Sequence, residues 1–262
     1  MLGGKSLLDE KVPFVSLEVN EHRRYLSDEV RVNAFRRAIE ELVRPGEVVV
    51  DLGSGTGVLG LLACRAGALR VYCIESTGMI ELARANCRAN QFQDRMRFLK
   101  GHSTRIEMPE KADVVVCDQI GYFGFEAGVV QYLEDARARF LKPNGRLMPT
   151  RIEMFVAATE SESIRDQVGF WNTSPAELNF SPAQKWAANT CYPVYLAAPE
   201  LLSDGVLLAS LDMHQASSDP FSADATITVS RAGVLDGIGG WFSAQLSPCC
   251  GDDQFAAGRQ TY

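Results

Sequence analysis

One phrase of this chain carries residue types whose spacing can do chemistry: Val48-Val49-Val50-Asp51-Leu52-Gly53-Ser54-Gly55-Thr56-Gly57. The valines read as a short buried strand, and a glycine-rich turn follows it. Glycine has no Cβ and accepts φ > 0, so a backbone rich in it passes close to a ligand. The apolar pattern from Val58 to Ala66 reads as a helix, whose first N–H groups and positive dipole end face that turn. Asp51 is placed to orient the turn or to receive a ligand cation. Glu75 closes the next apolar run, Arg70 to Ile74, with Ser76 after it. Ligands of α/β sheets bind beyond the carboxyl ends of the strands. Glu75 is therefore expected to accept hydrogen bonds from both hydroxyls of a ribose.

Two cofactors compete for this loop. Gly55-Thr-Gly57-Val-Leu-Gly60, with an acid about twenty residues on, formally matches the dinucleotide fingerprint. The longer phrase Asp51-x-Gly53-x-Gly55-x-Gly57 fits the S-adenosylmethionine version used by methyltransferases better, and that cofactor is expected. His102-Ser103 follows a third strand, Met96 to Leu99, where an adenine ring could rest; for His102 a solvated turn with a polar cap is an equal alternative. Asp118 ends a fourth strand, Ala112 to Cys117, next to the place expected for a transferable methyl group. Gly121-Tyr122-Phe123-Gly124-Phe125-Glu126 then makes an aromatic loop closed by a carboxylate. Asp118 and Glu126 together could hold a cationic nucleophile or take its proton. The alternative for Glu126 is a charge at a helix N-terminus.

The elements that must position these groups alternate. Glu29 to Val43 has helical spacing and stops at Arg44-Pro45-Gly46. Helices are expected from about Met79 to Asn90 and from about Val129 to Phe140, and a fifth strand begins at Arg146. Strands alternating with helices imply a parallel, doubly wound Rossmann-like sheet over residues 21–150, after an N-terminal extension of 1–20. Beyond Pro149 the texture changes. Runs at Glu153–Ala157, Val206–Leu208, Ala225–Val229 and Gly240–Phe242 read as strands of a mostly antiparallel, barrel-like domain over 151–262. An irregular arm is expected over 170–193.

Composition bounds the partners. The chain has 262 residues, 46% of them hydrophobic, enough for one large domain or two modest ones. A net charge of −7 argues against tight binding to nucleic-acid phosphates but not against a basic protein. No apolar run is long enough to span a membrane, and Met1–Pro13 has no signal-peptide core, so a soluble, cytoplasmic protein is expected. Seven cysteines (Cys64, Cys73, Cys87, Cys117, Cys191 and the vicinal Cys249-Cys250) form no CxxC pair, and the three histidines are scattered. Neither a disulfide framework nor a metal site is expected.

With these residues in place, the chain resembles the protein arginine methyltransferases. The resemblance runs in order through His22-Arg-Arg-Tyr25-Leu26-Ser-Asp28-Glu29-Val30-Arg31, the passage from Val49 to Glu75, Phe140-Leu-Lys-Pro143-Asn-Gly145-Arg-Leu-Met-Pro149 and Gly239-Gly240-Trp241-Phe242. It implies that His22–Arg31 forms the helix before the cofactor loop, that Arg31 binds the methionine carboxylate of the cofactor, and that the arm supports a head-to-tail homodimer. Three features depart from the family. Asp118 stands where the family has the first of two glutamates, and the loop to Glu126 is one residue shorter. The shorter acid loses over ~1 Å of reach, which bears on bidentate guanidinium binding. The family's aromatic cap is absent between Val12 and Ser16. Its Thr-His-Trp loop has no match in Gly258–Tyr262, and the chain stops before the last strands expected of the barrel. Three readings follow: a methyltransferase acting on a small guanidino or amino molecule, which the altered acceptor loop favours; a divergent protein arginine methyltransferase, which the layout favours; and a non-catalytic module that binds the cofactor or a partner.

Overall fold

A computed structural model describes residues 16–248, 254–256 and 260–261. The chain divides into two compact units, one of residues up to Asp118 with Asp135–Met148, the other of Gln119–Glu134 with residues from Pro149 onward.

The first unit opens with α1 (Ser16–Ser27) and α2 (Glu29–Leu42). Sequence reading expects one helix through His22–Arg31, and the structure breaks it at Asp28. The carboxylate of Asp28 accepts the N–H of Arg31 at 3.0 Å, capping α2 instead of continuing α1. Ala34, Phe35, Ala38, Ile39 and Leu42 make the buried stripe of α2, as their spacing requires. Then follow β1 (Val48–Leu52), α3 (Val58–Arg65), β2 (Arg70–Glu75), α4 (Met79–Ala89), β3 (Met96–Lys100) and β4 (Ala112–Cys117). The part of α5 (Val129–Arg139) from Asp135 onward and β5 (Leu141–Met148) complete this unit. The sheet order is β3-β2-β1-β4-β5, and every pairing is parallel. β1 is central and wholly buried, which is why it reads as consecutive valines rather than an alternation. Register pairs Leu52 with Ile74 and with Cys117, so β1, β2 and β4 end together. Asp51, Glu75 and Asp118 consequently stand at one edge of the sheet.

The second unit is built on β6 (Arg151–Thr159), β7 (Val206–Asp212) and β8 (Gly237–Gln245), with the short β9 (Gln254–Ala256) and β10 (Gln260–Thr261). All its pairings are antiparallel, in the order β10-β8-β6-β7 with β9 also on β8. α6 (Glu162–Gly169) and the single turn α7 (Gln184–Ala187) flank a stretch of short 3-10 turns where the arm was expected. α6 has no counterpart in the sequence reading. The strand expected at Ala225–Val229 is absent: only Val229 makes a bridge, to Ser203. Its β-branched run lies largely exposed, with no neighbouring strand to pack against. Among the described residues no helix is long and apolar enough to cross a membrane, and no cluster of three metal-ligating side chains occurs. Cys64, Cys73, Cys87 and Cys117 are buried free thiols and Cys191 is exposed; Cys249-Cys250, the Val12–Pro13 region and Gly258–Arg259 lie outside the described residues.

Candidate functional site

The turn after β1 is held open by its glycines. Gly53, Gly55 and Gly57 have φ of +66°, +50° and +80°, a region that side-chain-bearing residues avoid. The N–H groups of Gly53 and Ser54 both reach Ile74 O, at 2.9 and 3.1 Å, tying the turn to the end of β2. A Cβ on Gly55 would overlap the ring of His22, which α1 lays against the turn. A Cβ on Gly60 would lie 2.9 Å from Cys73 Sγ, so α3 packs on the sheet only because that residue is glycine.

Two carboxylates brace this turn from within. Asp51 is buried, and its Oδ2 accepts the Gly60 N–H at 2.9 Å. Burial pushes its carboxyl up to about 7 against the Gly60 bond, with Asp118 and Glu75 adding to the rise. Glu75 is also buried; Oε2 accepts the Gly55 N–H at 2.9 Å and Oε1 the Thr77 N–H at 2.8 Å. Each of its oxygens keeps a further lone pair for a ligand hydroxyl. Asp51 Oδ1 and Ser54 Oγ are buried with no hydrogen-bond partner. Unpaired buried polar atoms are rare, and two at one glycine turn mark a place where a polar ligand completes the bonding.

The remaining expected residues spread around this edge. Asp118 forms an ion pair with Arg31, and the Arg31 guanidinium also lies 4.6 Å from the Tyr25 ring centroid. Burial raises the Asp118 carboxyl, while Arg31 and His22 pull against that rise. Ser76 is exposed beyond Glu75. Ser103 is buried and its carbonyl accepts from Arg139 at 2.6 Å. His102 is exposed and bonds Thr104 Oγ1 at 2.8 Å, the polar-turn arrangement. Two residues of this edge were not assigned from sequence: His22 and Ser54. His22 carried a signal, since it opens the motif that ends at Arg31; Ser54 looked like one more small turn residue.

Glu126 belongs to the second unit. Its carboxylate folds back on its own loop, accepting the N–H groups of Tyr122, Phe123 (3.0 Å) and Phe125 (3.3 Å). It is thus a loop brace before α5, whose first residue is Val129. Tyr122 and Phe125 are each somewhat under half exposed.

Residues 36–152 match the ribosomal protein L11 methyltransferase family (PrmA), and residues 150–261 match the arginine methyltransferase oligomerization subdomain. Protein arginine N-methyltransferase 1 of Schizosaccharomyces pombe is 30% identical over 244 residues, covering 90% of this chain and 71% of its own. Protein arginine N-methyltransferase 6 of Danio rerio is 33% identical over 60% of this chain, and the match spans 45% of that relative. Among solved structures, Arabidopsis thaliana protein arginine methyltransferase 10 aligns with a TM-score of 0.75 at 25% identity, over 93% of this chain and 77% of that one. The Trypanosoma brucei PRMT1 enzyme-prozyme heterotetrameric complex with AdoHcy has the same fold, with a TM-score of 0.80 at 21% identity, over 88% of this chain and 74% of that one. The class so defined is the S-adenosylmethionine-dependent methyltransferases, and the positive-φ glycines, the orphaned Asp51 and Ser54 atoms and the buried Glu75 suit that cofactor. Within it, the chain belongs to the protein arginine N-methyltransferase family.

Proposed function

We propose that this protein transfers a methyl group from S-adenosylmethionine to arginine side chains of proteins. The observation that carries this reading is the similarity to an arginine N-methyltransferase over 90% of the chain. It favours the arginine acceptor over the small-molecule acceptor that the altered loop had suggested. The cofactor supplies an electrophilic methyl group, and the protein supplies alignment and charge. Gly53, Gly55 and Gly57 give the cofactor room, Glu75 binds the ribose, and Arg31 takes the carboxylate. Ser76, His102 and Ser103 are assigned to the nucleoside side. Asp118 and Glu126 orient the acceptor guanidinium and disperse the proton it releases. The Asp118–Arg31 pair supports this assignment, because it has the shorter acid holding a guanidinium. Since Asp118 and the cofactor carboxylate both use Arg31, cofactor binding is expected to loosen the pair and release Asp118 toward the acceptor. A homodimer through the arm is part of the same reading.

The test is transfer of labelled methyl to an arginine-rich peptide, beside the same peptide with every arginine replaced by lysine. Label on the first alone supports the reading. Label on neither, with S-adenosylhomocysteine bound, overturns it; label on free guanidino or amino compounds would then point to a small-molecule acceptor, and none at all to a binding module.

A further inference from the structure

The conformation of the Gly121–Glu126 loop is set inside the second unit. Gly124 has φ +104°, and a Cβ there would lie 2.9 Å from Ile152, 3.1 Å from Phe242 and 3.3 Å from Met154. Its backbone therefore rests directly on β6 and β8. The preceding residue, Phe123, lays its ring on Gly240 of β8: a Cβ on Gly240 would stand 2.6 Å from Phe123 Cε2 and 2.9 Å from Cδ2. Real Cβ atoms do not approach that closely, so the ring would have to move. Gly240 lies in mid-strand, paired with Val156 of β6 and flanked by buried Trp241. No positive φ requires glycine at 240, so the space over its Cα is what the residue provides. The backbone N–H of Phe123 in turn donates to both oxygens of Glu126, at 3.0 Å each, beside the Tyr122 N–H.

We infer that Gly240 is a positioning residue: the vacancy over its Cα seats Phe123, and Phe123 with Gly124 fixes the loop whose N–H groups hold the Glu126 carboxylate in place. The chain of contact runs from strand to ring, from ring to backbone, and from backbone to carboxylate. Its relevance to turnover rests on the proposed arginine reading; its structural content does not. Displacement of a reacting group by about an ångström lowers a rate by roughly 100-fold, so even a small lift of the ring matters.

The experiment compares the wild type, Gly240→Ala and the double variant Gly240→Ala with Phe123→Leu, which removes the ring atoms that the new methyl would meet. Amide hydrogen exchange at Tyr122, Phe123 and Phe125 is read in each, with the β8 amides as the internal control. The expected result is exchange about tenfold or more faster at those three amides in Gly240→Ala, with β8 protection kept, and return toward wild type in the double variant. Turnover of the arginine-rich peptide is expected to fall and recover in step, through kcat, with S-adenosylhomocysteine affinity constant. Unchanged loop exchange in Gly240→Ala, exchange raised equally along β8, or no recovery in the double variant would each overturn the inference. A wild type that binds S-adenosylhomocysteine but methylates nothing would instead overturn the functional reading, and the exchange data alone would then decide the role of Gly240.

Discussion

Asp51 couples the stability of the fold to pH. Its carboxyl titrates near 7 when folded, against an ordinary value near 4 unfolded. Between those limits the folded chain holds a proton that the unfolded chain has lost. Stability therefore falls as pH rises through that window, by up to about 1.4 kcal/mol per pH unit from this group. Wild type and Asp51→Asn, melted in parallel from pH 4 to pH 8 without cofactor, should converge or cross as pH rises, the wild type losing ground. Parallel melting curves would mean that the unpaired Oδ1 is solvated. Glu75 makes a second prediction. Glu75→Ala removes acceptors for the Gly55 and Thr77 N–H groups as well as any ribose bond. Weakening of S-adenosylhomocysteine binding by about 1–3 kcal/mol is expected in a calorimetric titration.

At the scale of elements, the boundary between α1 and α2 is the informative one. Helical spacing is read from Glu29 onward, while the family resemblance implies one helix through His22–Arg31; the capping bond at Asp28 decides for a break. Asp28→Ala should cost about 1 kcal/mol of stability, seen as a lower Tm, and should weaken cofactor binding modestly because Arg31 starts the capped turn. Elements whose signal is local were legible: β1 from its valines, the helices from their apolar period, the glycine turn from its spacing. What stayed hidden depends on partners distant in sequence. The Asp118–Arg31 pair joins residues 87 apart. Ala225–Val229 has the composition of a strand but only a bridge for a neighbour, and β-propensity without a partner makes no sheet. The short Glu162–Gly169 helix buries one residue, Ile164, too little for a periodic signal.

For the whole molecule, the proposed homodimer would bury surface around residues 170–193. Phe170, Trp171, Trp186, Ala187 and Tyr192 are among the residues lining a groove of about 780 Å³, and Trp186 is 72% exposed. Exposed aromatic surface on this scale is a usual mark of an interaction face. α1 and α2 also expose apolar side chains, at Val19, Leu26 and Val30. Trp186→Asp is expected to halve the mass measured by sedimentation at micromolar concentration while leaving the secondary structure intact. A wild type already monomeric at that concentration would remove the arm from assembly.

Glu126 makes the usual vocabulary of active-site mutagenesis ambiguous here. Its carboxylate is both a scaffold for three backbone amides and an expected reagent. Glutamine, the customary silent replacement, would bring an NH2 group among N–H donors and leave one oxygen to do the accepting of two. Alanine would remove the brace altogether. Rates measured on either variant would therefore mix a misfolded loop with a missing charge. The two are separable only when loop geometry is read independently of turnover.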